Sequence, residues 1–87
     1  MLTEIQIHLS CYDTQKTKLL YTQLSEPVPM PLGSLIRAGC LEIPIAKCII
    51  QPCPVQYIFI LGTHIFEKES DLNLFLQQTN ALGWRTK

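Results

Sequence analysis

Thr3-Glu4-Ile5-Gln6-Ile7-His8-Leu9-Ser10-Cys11 is the stretch on which the fold turns. Ile5, Ile7, Leu9 and Cys11 alternate with Glu4, Gln6, His8 and Ser10. Successive side chains of a strand point to opposite faces, so this period of two marks a strand with one buried and one polar face. Asp13-Thr14-Gln15-Lys16 is a polar turn. Lys18 to Leu24 then predicts a second strand, closing a hairpin with the first.

Further along, Pro27-Val28-Pro29-Met30-Pro31 places proline at every second position. Each ring fixes φ near −65° and biases the residue before it to extended geometry, so the segment predicts an irregular crossover and no central strand. Pro31 suits the first turn of a short middle helix through Leu35, Ile36 and Ala38, with Gly39 as its left-handed stop. Ile43-Pro44-Ile45 and Lys47 to Gln51 predict an interrupted strand whose early part lies at an edge. Pro52-Cys53-Pro54 breaks the chain again. Val55 to Leu61, apolar but for Gln56, predicts a central strand buried on both faces. Gly62-Thr63 suits a type II′ hairpin, from which His64 to Glu67 would return antiparallel. Ser70 as N-cap, Asp71 at the positive end of the dipole, and Leu72, Phe75, Leu76 and Thr79 at helical spacing predict a C-terminal helix. Gly83 suits its C′ position, with Trp84 folding back on the last turn.

The expected fold class is therefore α+β: residues 1–87 as one small domain, with a mostly antiparallel sheet of about four to five strands, one short middle helix and a C-terminal helix. A strand hairpin, a short helix and further strands resemble the ubiquitin-like β-grasp. Leu35-Ile36-Arg37-Ala38-Gly39-Cys40-Leu41 resembles the helix end in small bacterial proteins of that fold. The closing Trp84-Arg85-Thr86-Lys87 departs from it by lacking a terminal Gly-Gly, which puts a carrier role acting through this C-terminus in doubt.

With 47% hydrophobic and 16% charged residues among 87, the chain can supply one core and is no disordered tail. Area scaling leaves roughly 5,200 Å² exposed after folding. Seven basic and seven acidic residues cancel, which leaves no general electrostatic grip on nucleic acid or anionic membrane. Low charge also removes colloidal repulsion and favours covering of apolar surface by a partner or a second copy. Tyr57 to Leu61, the longest apolar run, is far short of the ~20 residues of a membrane helix. Glu4 and His8 interrupt any signal-peptide pattern, so the protein is expected to stay in the cytoplasm.

In that compartment Cys11, Cys40, Cys48 and Cys53 are expected as free thiols, Cys11 and Cys48 as small buried hydrophobes. A zinc site would use Cys40, Cys48, Cys53 and His64, but zinc ligands usually come as close pairs. Here seven residues separate the first two cysteines and four the next two, with no second close pair. Thiol catalysis would need a thiolate beside a histidine; Cys53 between two prolines is the most exposed candidate, and His8 and His64 are the only histidines. Glu67, Glu69 and Asp71 cluster where a helix N-terminus accounts for them. Scattered glycines (33, 39, 62 and 83) form no phosphate cradle. Arg85 and Lys87 beside Trp84 are the only basic–aromatic cluster, so no nucleic-acid partner is expected.

The chain is thus expected to be a small non-enzymatic protein–protein interaction or assembly module, either a homodimer or a subunit of a larger assembly, with no catalytic, cofactor or metal residue assigned. Its least protected sheet edge is placed near the N-terminal hairpin, where Glu4 and His8 are the first strand's only ionisable guards. The alternatives are a metal- or thiol-dependent protein built on Cys40, Cys48, Cys53 and His64, and an accessory subunit of a larger enzyme.

Overall fold

β1 (Thr3–Cys11) sends Thr3, Ile5, Ile7, Leu9 and Cys11 into the core of the computed structural model, which describes residues 3–26, 28–52 and 54–86. β2 (Thr17–Leu24) pairs with it antiparallel from Thr3 opposite Leu24 to Ser10 opposite Thr17. Gln15, at φ 55°, makes the tight turn between them. The remaining elements are β3 (Leu35–Ala38), β4 (Leu41–Pro52), β5 (Val55–Leu61), β6 (His64–Phe66), α1 (Glu69–Ala81) and β7 (Arg85–Thr86). The strands form one seven-stranded sheet in the order β3-β4-β5-β1-β2-β7, with β6 beside β1 off that path. The α+β class stands, with seven strands in place of four to five. The two strands not expected, β3 and β7, are four and two residues long, too short to show a period of two.

The expected middle helix is absent. Leu35–Ala38 is extended because it pairs antiparallel with β4, with Ile36 opposite Ile43 and Ala38 opposite Leu41. Gly39 does adopt positive φ (60°), but in the turn between two strands and not as a helix stop. The stretch likened to the helix end of a β-grasp protein is thus strand and turn, and the one helix among the described residues follows β6. The crossover from β2 to β3 carries no regular structure through 28–31, as its prolines require; Pro27 lies outside the described residues. Buried Thr3 fastens that crossover, its hydroxyl donating to the Glu26 carbonyl at 2.6 Å and accepting from the Val28 N–H at 2.9 Å.

Pro44 does not interrupt β4, which runs through it to Pro52. The Pro44 carbonyl faces Gly62, past the end of the β4–β5 ladder at Ile45 opposite Leu61, where no strand donor is needed. A bulge between Ile45 and Lys47 bends the strand just beyond it. β5 is central, between β4 and β1, yet only Phe59 and Leu61 of its side chains are buried.

β6 does not return along β5. Gly62 lacks the positive φ that a type II′ turn demands, and the chain crosses instead to lie parallel to β1, Leu9 opposite His64 and Cys11 opposite Phe66. β1 also runs parallel to β5 from Thr3 opposite Tyr57 to Gln6 opposite Ile60. The sheet is therefore mixed, and β1 lies in its interior instead of at an unprotected edge. Arg85 and Thr86 cover β2 opposite Tyr21 and Leu20.

α1 buries Leu72, Phe75 and Thr79 against one face of the sheet, Phe75 meeting Phe66 at 5.3 Å between ring centroids. Its N-cap is Lys68 and not Ser70, and no side chain caps it. The C-terminal stop falls as expected: Gly83 has φ 97°, and the Trp84 N–H donates to the Thr79 carbonyl at 3.0 Å, returning the buried indole to the core.

Candidate functional site

Strand alternation divides the sheet into two unlike faces. Ile43, Ile45, Cys48, Phe59, Leu61, the β1 core residues and Leu20 share the face beneath α1 and the crossover. On the opposite face stand Lys47 and Ile49 of β4, Gln56, Ile58 and Ile60 of β5, Glu4, Gln6 and His8 of β1, and Leu19, Tyr21 and Gln23 of β2. No helix packs on that face among the described residues.

An antiparallel sheet open to water on one side alternates apolar inward with polar outward. β1 keeps polar residues on that side, from exposed His8 through half-buried Gln6 and Ser10 to buried Glu4. β4 and β5 break this rule. Ile49 is 40% exposed, and Ile58 and Ile60 are half-buried. Fully burying an isoleucine contributes about 1.5–3 kcal/mol, so much of the stabilisation these side chains can supply is unrealised. The apolar run of β5 is the signal for this site in the sequence, although it predicted burial on both faces.

β4 and β5 also extend as an arm past Thr3, the first described residue of β1, which stands opposite Tyr57. Ile50 is 62% exposed and Val55 47% exposed on this arm. The arm shows in the overall shape. The radius of gyration is 13.2 Å against about 12 Å for a compact domain of this length, and the long axis measures 40 Å.

Beside the isoleucines lies a polar cluster. The Glu4 carboxylate accepts hydrogen bonds from the Gln6 amide and, at 3.0 Å, from the Gln23 amide, and Glu4 is 6% exposed. Lys47 flanks the isoleucines on the other side, exposed, and makes no ion pair among the described residues. Two ion pairs among the described residues, Arg37–Glu42 at 2.6 Å and Lys16–Glu69 at 3.1 Å, are solvent-exposed and contribute under about 1 kcal/mol each.

The thiol and metal candidates are dispersed. Cys40 is exposed in the β3–β4 turn, whereas Cys48 sits eight residues along β4, half-buried against the core. At the rise of a strand that separation is about 25 Å, too far for two ligands of one ion. His64 packs edge-on against Phe66 at 4.7 Å, and Cys11 is buried. Cys53 and Lys87 lie outside the described residues. Among the described residues no three histidine, cysteine or acidic side chains gather as a metal would need. No helix is long and apolar enough to cross a membrane.

A cleft of about 400 Å³ between the end of α1 and β2 is lined by Leu20, Leu76, Gln77, Asn80, Trp84, Arg85 and Thr86. It offers amides and one guanidinium, with no acid, thiol or imidazole to move a proton. No protein-family model, curated protein or solved structure matches the chain.

Proposed function

We propose that the chain is a non-enzymatic protein–protein interaction or assembly module, and that it docks its partner on the open face of β4 and β5. One observation carries the reading: Ile49, Ile58 and Ile60 stand together on a sheet face that no helix covers. Apolar side chains in contact on an exposed sheet are the pattern of a surface awaiting a second layer. The low charge and zero net charge of the chain support it, since nothing long-ranged repels an approaching partner.

The metal- or thiol-dependent alternative and the enzyme-subunit alternative have no comparable observation behind them. Protein capture with immobilised wild-type chain, set against an Ile58→Asp/Ile60→Asp variant whose fold is verified by circular dichroism, tests the module. A protein, or a second copy, retained by the wild type and released by the variant is the expected result. Identical capture and identical self-association by both chains would remove the open face from the function.

A further inference from the structure

We propose that the outer edge of β4 beyond Ile45 takes up an extended apolar peptide with one acidic residue, from a partner protein, as an added antiparallel strand. The inference stands apart from docking on the open face, because it is made by backbone groups of β4 and does not use Ile58 or Ile60.

β3 pairs with β4 only from Leu41 to Pro44, and Gly33 and Ser34 of the crossover occupy the carbonyl and N–H of Ile45. From residue 46 to Pro52, β4 has β5 on one side and, among the described residues, no strand on the other. The outer row of N–H and C=O groups of this run is therefore without a strand partner, and all its residues but Cys48 are exposed. β2, near the far end of the sheet, is covered at its middle by β7 over Leu20 and Tyr21, which leaves at most three consecutive residues free at either end.

Sheets protect a free edge with charge, proline or a bulge. On β4 those devices stand at the ends of the run, as the bulge before Lys47 and as Pro52. Cys48, Ile49, Ile50 and Gln51 between them carry no charge, and Ile50 is 62% exposed. An added strand supplies the missing backbone partners. Its alternate side chains flank Cys48 and Ile50 on one face and Lys47 and Ile49 on the other. The antiparallel direction continues the pairing that β4 already makes with β3 and β5.

Lys47 fixes the chemistry of the occupant. It is exposed and makes no ion pair among the described residues. Directly opposite residues of neighbouring strands meet on one face, where opposite charges attract. A carboxylate opposite Lys47, preceded in its own chain by apolar residues opposite Cys48, Ile49 and Ile50, complements the edge. A second copy of β4 does not, because residues 46–52 contain no acid.

Titration and hydrogen exchange of the full chain with a capped eight-residue peptide of valine and threonine, bearing aspartate near its C-terminal end, test the site. Binding should slow exchange of the outward β4 amides between Lys47 and Gln51 at least about tenfold, with Kd on the order of 100 μM, the weak range of a small contact. N-methylation of every second peptide residue separates the two edges of the peptide. One phase removes the donors that face β4 and should abolish binding; the other removes those that face away and should leave Kd within about threefold. Lysine in place of the aspartate should weaken binding about fivefold at low ionic strength, and Lys47→Glu should reverse that preference. Equal binding by the two N-methylated phases, or no binding by any peptide, overturns strand addition. Indifference to the charge opposite Lys47 overturns the acidic partner. Self-association that protects the same amides without peptide does so too, since it puts a second copy on the edge.

Discussion

Ile7 has no exposed surface, and its neighbour His8 points to water from the open face. Ile7→Asp should therefore cost several kcal/mol, a large part of the 5–15 kcal/mol that holds a small domain together. His8→Asp should cost under about 0.5 kcal/mol. Equal urea midpoints for the two variants would mean the faces of β1 are reversed. Gln6 would be the obvious control from sequence alone, but its amide binds Glu4. An aspartate there sets two carboxylates on one face of one strand, so Gln6→Asp should be the costlier open-face change. Gly39 sits at φ 60°, where an added Cβ would lie 3.4 Å from Thr79 and 3.5 Å from Phe75. Gly39→Ala should cost about 1–2 kcal/mol in urea melts, and Gly39→Asn less, since asparagine tolerates that backbone region.

At the scale of the element, α1 has an untapped contribution. Lys68 holds the N-cap at φ −118° and ψ 143°, the extended geometry a capping residue needs, yet makes no capping bond. Lys68→Ser should supply one and raise stability by about 0.5–1 kcal/mol, a few degrees in Tm. Ser70→Ala should leave Tm nearly unchanged, because Ser70 lies inside the first turn. The opposite ranking in thermal melts would put the helix start two residues later. β4 shows how an element tolerates a residue that local rules forbid. Pro44 faces Gly62 where the ladder with β5 has ended, so its missing N–H leaves no partner unsatisfied.

For the whole molecule, the core is carried by apolar burial across β1, β2, β4, β5 and α1. Cys11, Cys40 and Cys48 are free thiols. The chain should keep its circular dichroism spectrum and Tm in chelator and in reductant. Unfolding in either would show that a metal or a disulfide supports the fold. The exposed surface, 5606 Å², slightly exceeds the roughly 5,200 Å² expected for this mass, as the protruding β4–β5 arm requires.

The sequence by itself determined the elements whose cause is local. The period of two in β1 specifies its buried face, the polar turn after it specifies the hairpin, and helical spacing with Gly83 specifies α1 and its stop. Each needs only neighbouring residues and backbone sterics. Tertiary structure alone decided the rest. Leu35–Ala38 is a strand because β4 lies beside it, against the helix that Pro31 and Gly39 suggest from local signals. β6 joins β1 because the chain crosses without a turn at Gly62, a choice between distant partners that no local pattern encodes. The open face was legible only by half. The apolar run of β5 announces two faces seeking burial, but which face the helix takes depends on packing between elements far apart in the chain. Within this chain α1 covers one side, and the isoleucines of the other remain at the surface because the described fold has no further layer to place on them.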